Sequence, residues 1–568
     1  MKKTLVVGLD AACWEYLLPL LDRGEMPCLQ RLLDSGTSGT LQSTMPAWTP
    51  TAWSSICTGK NPGKHGVFDM LWRSPDIGEL IPIDSNVRQG TPFWKRLNAH
   101  NVRVGLVNVP FIYPPEPIDG FMVCGFGTPA AARKITYPHH LLQDIEKTFG
   151  RYQPTVDTDV LASASPSTIF AEERQHQFRQ VQIALESVRH FPVDVLVINL
   201  MFTDHANHKM PEMSQVQEAY RQSDMDLAEL IDHFQPDNVM LISDHGSNRL
   251  KGNFLLSAWL RDRGYYIEVK QAATQQAAAL NWILMQWLQL HHGWRGLPEK
   301  TLRRVARELL PRLPKQISQV IWRDIEQVIP FAHESIKFQD RANYVQTLLF
   351  PGSIFSGLLY FNGSSLNGSL NGNSQGVCDA ALSEQRSKLL SEVTERLLQI
   401  KEPETGQPLF AKVHNSFDLY EGPAAIYAPD LILDGYDSGW NIQTTQYPTI
   451  AEAIIEQYFI VPSKGRDFGW HSREGILVFS GVDFAQGVAS IRGHVMDIPA
   501  TLLHLYGVPI PQDYDGQILA EAMVPELRQR SVQYQPGDEP AIAANTGTFS
   551  QEETAQLVKH LRALGYLA

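Results

Sequence analysis

The sequence predicts an α/β protein built on a doubly wound, mostly parallel sheet flanked by helices and interrupted by a helical cap insertion. Three observations lead there. Short β-branched and apolar runs (TLVVGL, VRVGLVNV, VDVLVINL, NVMLIS) alternate with helical patterns over the first 264 residues. The runs are apolar throughout rather than at every second position, as strands covered on both faces must be. Residues able to bind metal stand just after several of them, at the carboxyl ends of the strands, where such sheets place their ligands.

TLVVGL is the first strand, ended by Asp10, and a helix begins near Trp14. In STMPAWTPTAWSSICTGKNPGKHG, Pro50 suits the first helical position, with Thr49 as its N-cap. The helix-like TPFWKRLNAH precedes VRVGLVNV, and a helical stretch around 214–234 separates VDVLVINL from NVMLIS. These elements form a first core segment over residues 1–264. From 265 to 420 helical patterns such as EKTLRRVARELL dominate, and NGSSLNGSLNGNSQG reads as a loop. That region is read as an insertion or cap, expected to select the substrate. The core resumes over 421–528 with APDLILDG, GILVFSG and the helix DIPATLLHLYG. Residues 529–568 read as a linker and a C-terminal docking helix. Ser550 and Glu553 form a capping box, Leu557, Leu561 and Leu564 share a face, and Gly565 stops the helix.

A chain of 568 residues exceeds one ordinary core. Its 43% hydrophobic and 19% charged residues are those of a soluble globular protein. The net charge of −13 argues against nucleic acid or an anionic membrane as a partner, since both call for a basic face. Phosphate binding stays open where metal ions supply local positive charge. Cys13, Cys28, Cys57, Cys124 and Cys378 are odd in number and form no CxxC pair, which reads as reduced thiols in a cytoplasmic protein. Asp10 cuts the N-terminal apolar run too short for an export signal, and AAALNWILMQWLQL is too short and polar for a membrane span. No transmembrane segment is expected.

The chemistry lies in fragments. Asp204 and His208 in FTDHANH are four apart, so both can face one ion on a helical turn; a carboxylate and an imidazole suit zinc, manganese or iron. Asp244 and His245 in SDHG can share an ion if the chain turns at Gly246. Asp10 can serve as a ligand, as the cap of the helix at Trp14, or as both, since the roles are not exclusive. A threonine hydroxyl at a helix start beside two metals can attack phosphorus, and either Thr49 or Thr51 meets that description. His471 in GWHSREGIL completes the set, with His65, His205, His494 and His504 as competitors. Trp48, Trp53, Trp72, Trp94 and Trp470 either stack on an aromatic substrate or, the simpler reading, pack the core.

Through GLDA, TPTAWSSICTGKNPGKHG, TDHANH, SDHG, GWH and DIPATLLHLYGVPIP the chain resembles the alkaline phosphatase superfamily, in particular its type I phosphodiesterase/nucleotide pyrophosphatase branch. The resemblance implies an alkaline-phosphatase-like fold and two divalent metal ions, with zinc expected and manganese or iron as alternatives. It assigns Asp204, His208 and His471 to one ion and Asp10, Asp244 and His245 to the other. It makes Thr49, ten residues before Gly59, the nucleophile bound at that second ion. The implied activity is hydrolysis of a small-molecule phosphate ester through a phospho-threonine. Alternatives on the same scaffold are a phosphomonoesterase, phosphomutase or phosphonate hydrolase. A sulfatase is disfavoured by the lack of a CxPxR-type motif, and a non-catalytic metal-binding protein has no use for Thr49. Where the nucleotide pyrophosphatases commonly place an Asn three residues after the Thr, this chain has Ala52, and Asn108, at the end of VGLVNV, or a backbone N–H stands as the candidate donor to a phosphate oxygen.

Overall fold

The computed structural model describes residues 2–73, 80–267, 347–352, 357–362, 380–443, 453–456, 458–461, 468–539 and 549–564. Its centre is a nine-stranded sheet in the order Val488–His494, Gly36–Gln42, Glu474–Gly481, Asn238–Ile242, Thr4–Leu9, Val195–Leu200, Val104–Val107, Gly120–Val123, Thr136–Tyr137. Only Glu474–Gly481 and Thr136–Tyr137 run against the rest. Every residue of Thr4–Leu9, Val195–Leu200 and Asn238–Ile242 is buried. Such strands need cover on both faces, and two groups of helices flank them. Trp14–Asp22, Pro27–Ser35, Pro166–His190 and Met213–Phe234 form one group, and Thr49–Thr58, Phe93–Asn98 and Asp497–Leu505 the other. The expected mostly parallel α/β sheet is therefore present.

A second hydrophobic core gathers Phe254, Trp259, Tyr266, Leu397, Leu433 and Trp440 among others. It is built on two four-stranded sheets and the helix Ala380–Leu398. Of residues 265–420, the described part thus contributes strands Leu349–Pro351, Leu358–Phe361 and Lys412–Asn415 as well as a helix. The stretches read as helical between 277 and 310 lie outside the described residues. Leu431–Asp434 and Trp440–Gln443 join this second core, while Glu474–Gly481 joins the main sheet. A small cluster of Met45, Ala47 and Phe68 with Leu358, Tyr420, Ile432 and Tyr436 fastens the segment before Thr49 to that second core.

The C-terminal helix runs Gln551–Leu564. Ser550 N donates to Glu553 Oε2 at 2.8 Å and Glu553 N to Ser550 Oγ at 3.2 Å, the reciprocal capping box. Leu557, Leu561 and Leu564 are buried against the main core. Cys13, Cys28, Cys57 and Cys124 are buried free thiols, and Cys378 lies outside the described residues. Among the described residues no helix is long and apolar enough to cross a membrane.

Candidate active site

The parallel strands end at one edge of the sheet, and the fragments read from the sequence meet there. Asp10 extends the first strand by one rung, its N–H donating to Leu200 O at 3.0 Å. It does not cap the following helix, whose cap position is Cys13. Thr203 Oγ1 donates to Asp10 O at 2.6 Å, and Ala11 N to Asp244 Oδ1 at 3.3 Å, so the three strand ends hold one another. Asp204 and His208 stand one turn apart on the helix Phe202–Lys209, with His208 Nε2 3.4 Å from Asp204 Oδ1.

His471 arrives from the opposite direction. Its strand Gly469–Ser472 pairs with Gly246–Arg249 and leads into Glu474–Gly481, which is antiparallel to its neighbour. The start of that strand therefore lies at the edge where the parallel strands end. Gly246 was expected to turn the chain after His245; it sits instead in this pairing, where a Cβ would come within 2.1 Å of Glu474 O. Glycine is required there for close approach, not for a turn.

Two sets of ligand atoms result: Asp204, His208 and His471, and Asp10, Asp244 and His245, the atoms within each set lying within 4.8 Å of one another. His471 Nδ1 is 3.0 Å from Ala47 O and His245 Nδ1 is 3.1 Å from Gly246 O. A carbonyl only accepts, so Nδ1 carries the proton in each ring and Nε2 presents a lone pair. His471 Nε2 is 3.1 Å from His208 Nε2 and 3.6 Å from Asp204 Oδ1. His245 Nε2 lies 3.3 Å from Asp244 Oδ2 and 3.8 Å from Asp10 Oδ1. The His245 and His471 rings stack at 3.8 Å, which joins the two sets.

The helix Thr49–Thr58 starts at Thr49 itself, with Trp48 in the cap position. Thr49 is thus not the cap that Pro50 suggested; its Oγ1 lies 3.1 Å from His245 Nε2. Thr51 Oγ1 is buried on the same helix and has no hydrogen-bond partner among the described residues. Of the two threonines, Thr49 is the one that faces the ligand sets.

Burial, then repulsion from Asp244 and Asp204, raises the Asp10 carboxyl well above its usual range. Burial, then Asp204, pushes Asp244 up to about 7. Burial would also raise Asp204, but His208, followed by His471 and His245, holds it far below the usual range. Burial, then His245, pulls His471 well below an ordinary imidazole. Asp10 Oδ1 and Asp244 Oδ2 are buried and receive no hydrogen bond among the described residues. Three buried carboxylates gathered in one place, two with unpartnered oxygens beside imidazole lone pairs, form a donor set that fits divalent cations.

The remaining candidates are engaged elsewhere. His65 bonds Ser55, His504 the carbonyl of Leu527, His205 the carboxylate of Glu173, and His494 accepts from Met496 N. Asn108 donates to Asn199 O at 2.9 Å and accepts from Phe126 N at 3.0 Å. Both ends of its amide brace the backbone. Trp48, Trp53, Trp94 and Trp470 are core packing, Trp48 and Trp470 lying against the His471 ring; the Trp72 side chain lies outside the described residues. Asn199 was missed. Its Nδ2 donates to Asp10 Oδ2 at 2.8 Å, and the signal for it was an amide inside the apolar run VDVLVINL.

A family model described as type I phosphodiesterase / nucleotide pyrophosphatase matches residues 4–342. No curated protein matches. Among solved structures, the chain is similar to a murine ectonucleotide pyrophosphatase / phosphodiesterase 5 in complex with AMP (12% identity, 89% of this chain and 96% of that one, TM-score 0.45). It is also similar to a mutant of the alkaline phosphatase PafA (14%, 92% and 98%, 0.49). A third is the phosphonoacetate hydrolase of Sinorhizobium meliloti in complex with phosphonoacetate (14%, 88% and 94%, 0.47).

Proposed function

The chain belongs to the type I phosphodiesterase / nucleotide pyrophosphatase family and is a phosphoric ester hydrolase, and on that premise we propose that it cleaves small-molecule phosphodiesters with Thr49 as nucleophile and two divalent cations. The observation that carries this reading is Thr49 Oγ1 at 3.1 Å from His245 Nε2, at the junction of two buried ligand sets. Asp204, His208 and His471 would hold one ion and Asp10, Asp244 and His245 the other, with zinc favoured by the mixture of imidazole and carboxylate donors. When bound, the ions supply electrostatic stabilisation for the charge on Thr49 oxygen and on the phosphoryl group.

The residues of the chain do the rest. The helix start holds Thr49 Oγ1 toward the site, and its N-terminal amides favour phosphate oxygens. Thr49 Oγ1 attacks phosphorus in line with the departing alkoxide; the Oγ1–P bond forms as the P–O bond to the alkoxide breaks, and the hydroxyl proton leaves with the alkoxide as the free alcohol, giving a phospho-threonine. Water then cleaves the Oγ1–P bond and restores the hydroxyl. The packed rings of Trp48, Trp470 and His471 keep bulk water from the wall of the site.

Zinc-loaded protein assayed on bis-p-nitrophenyl phosphate, p-nitrophenyl phosphate and p-nitrophenyl sulfate tests this. The expected result is a preference for the diester, abolished by chelation and lowered on the order of 10⁴-fold in Thr49→Ala at unchanged metal content. A preference for the monoester would change the substrate class. Full activity in Thr49→Ala would refute the nucleophile.

A further inference from the structure

Asn199 is the polar residue of the otherwise apolar strand Val195–Leu200, and it is fully buried. It pairs with Gly8 across the parallel ladder. Side chains two apart on a strand share a face, so a side chain at Gly8 would stand beside that of Asp10. Glycine leaves that place empty and Asn199 fills it: a Cβ on Gly8 would come within 2.2 Å of Asn199 Oδ1 and 2.7 Å of the Trp53 ring. From this niche Asn199 Nδ2 donates to Asp10 Oδ2 at 2.8 Å, while Asp10 Oδ1 lies on the side of His245 Nε2, 3.8 Å away.

The other end of the amide is left over. Asn199 Oδ1 is buried and accepts no hydrogen bond among the described residues. An unpartnered buried acceptor works against folding, and a leucine of nearly the same size would spare the sheet that cost. What a leucine cannot supply is the donor to Asp10. Trp53, on the other side of the niche, belongs to the helix that starts at Thr49. One packed spot thus underlies both the carboxylate and the nucleophile helix.

We infer that Asn199 is a positioning residue for Asp10, an inference that rests on the metal reading of the site given above. By occupying Oδ2 it fixes the rotation of the carboxylate and leaves Oδ1 for the ion shared with Asp244 and His245. Partners of this kind, one bond behind a metal ligand, commonly change metal affinity 10–100-fold when removed.

The test is Zn²⁺ titration of the metal-stripped full-length chain against a competing chelator, in two backgrounds. His208→Ala leaves the set Asp10, Asp244, His245; Asp244→Ala leaves the set Asp204, His208, His471. Asn199→Leu is expected to weaken binding about 10–100-fold in the first background and to leave the second unchanged. Asn199→Thr, a good strand former too short to reach Asp10, is expected to behave alike and covers the case in which the leucine variant does not fold. If each background binds one ion and Asn199→Leu changes both alike, or neither, the positioning role is refuted while the metal reading stands. If neither background binds Zn²⁺, the metal reading itself fails and takes this inference with it.

Discussion

The set Asp204, His208 and His471 holds one carboxylate against two imidazoles, whereas Asp10, Asp244 and His245 hold two carboxylates against one. In the first, His208, followed by His471 and His245, holds the buried carboxyl far below its usual range. In the second, burial pushes both carboxyls up, with repulsion from Asp244 and Asp204 on Asp10 and from Asp204 on Asp244, and each keeps a buried oxygen without a donor among the described residues. The lesson is that similar residue types at one sheet edge can make unequal demands. The first set has one carboxylate to offset among its imidazoles, the second two. Thr49 stands at the second.

The largest expected effect would break that inequality directly. Asp244→Ala should remove the second ion and lower diester turnover on the order of 10³-fold, with no recovery in excess metal. His471→Ala should cost about 10–100-fold and recover in part as Zn²⁺ is raised. Equal losses with equal recovery, measured as rate against free Zn²⁺, would erase the distinction. Next in size is Gly246→Ala, whose Cβ would meet Glu474 O at 2.1 Å and push apart the strands that carry His245 and His471. A stability loss of about 1–3 kcal/mol is expected from such overpacking, read as a drop in denaturation midpoint. An unchanged midpoint would mean that the pairing yields easily.

The smallest effect concerns the support of the first set. Gln177 Oε1 accepts from Phe202 N at the start of the helix carrying Asp204 and His208, and Gln177 Nε2 donates to Asp226 Oδ2 at 2.8 Å. Burial raises the Asp226 carboxyl to about 6, opposed by the Gln177 bond. A carboxyl raised on folding favours the native state while it is protonated, so this contribution is present below pH about 4 and lost as pH rises through about 6. Asp226→Asn should therefore stabilise the protein by about 1–2 kcal/mol at pH 8 and by little at pH 4. Denaturant melts at the two pH values check it, and a gain of equal size at both would show that charge is not the cause.

The core strands were legible because burial on both faces demands predominantly apolar runs, and Asp10, Asp204 and Asp244 because each stands at or just beyond the end of such a run. The DxxxH pair was legible because its two residues share one helical turn. What the sequence could not display was contact across the fold. Thr49 and Thr51 are chemically alike; the family resemblance singles out Thr49, and in the fold it is Thr49 that His245 approaches. Gly246 looked like a turn residue because its reason, the carbonyl of Glu474, lies more than two hundred positions away. Asn108 looked available because its two backbone partners come from other strand ends. The second core mixes strands and a helix across several short segments, so no single period marks it.

The reversed strand Glu474–Gly481 sets the order in which the site can come into being during synthesis. Five of the six candidate ligands leave the ribosome by residue 245, but His471 follows only after some 230 more residues, a delay of roughly 10–45 s at ordinary elongation rates. Through that interval the nascent sheet lacks both the strand that belongs beside Asn238–Ile242 and the imidazole that precedes it. Asp10, Asp244 and His245 can gather in time to capture an ion, whereas the other set must wait for the last third of the chain.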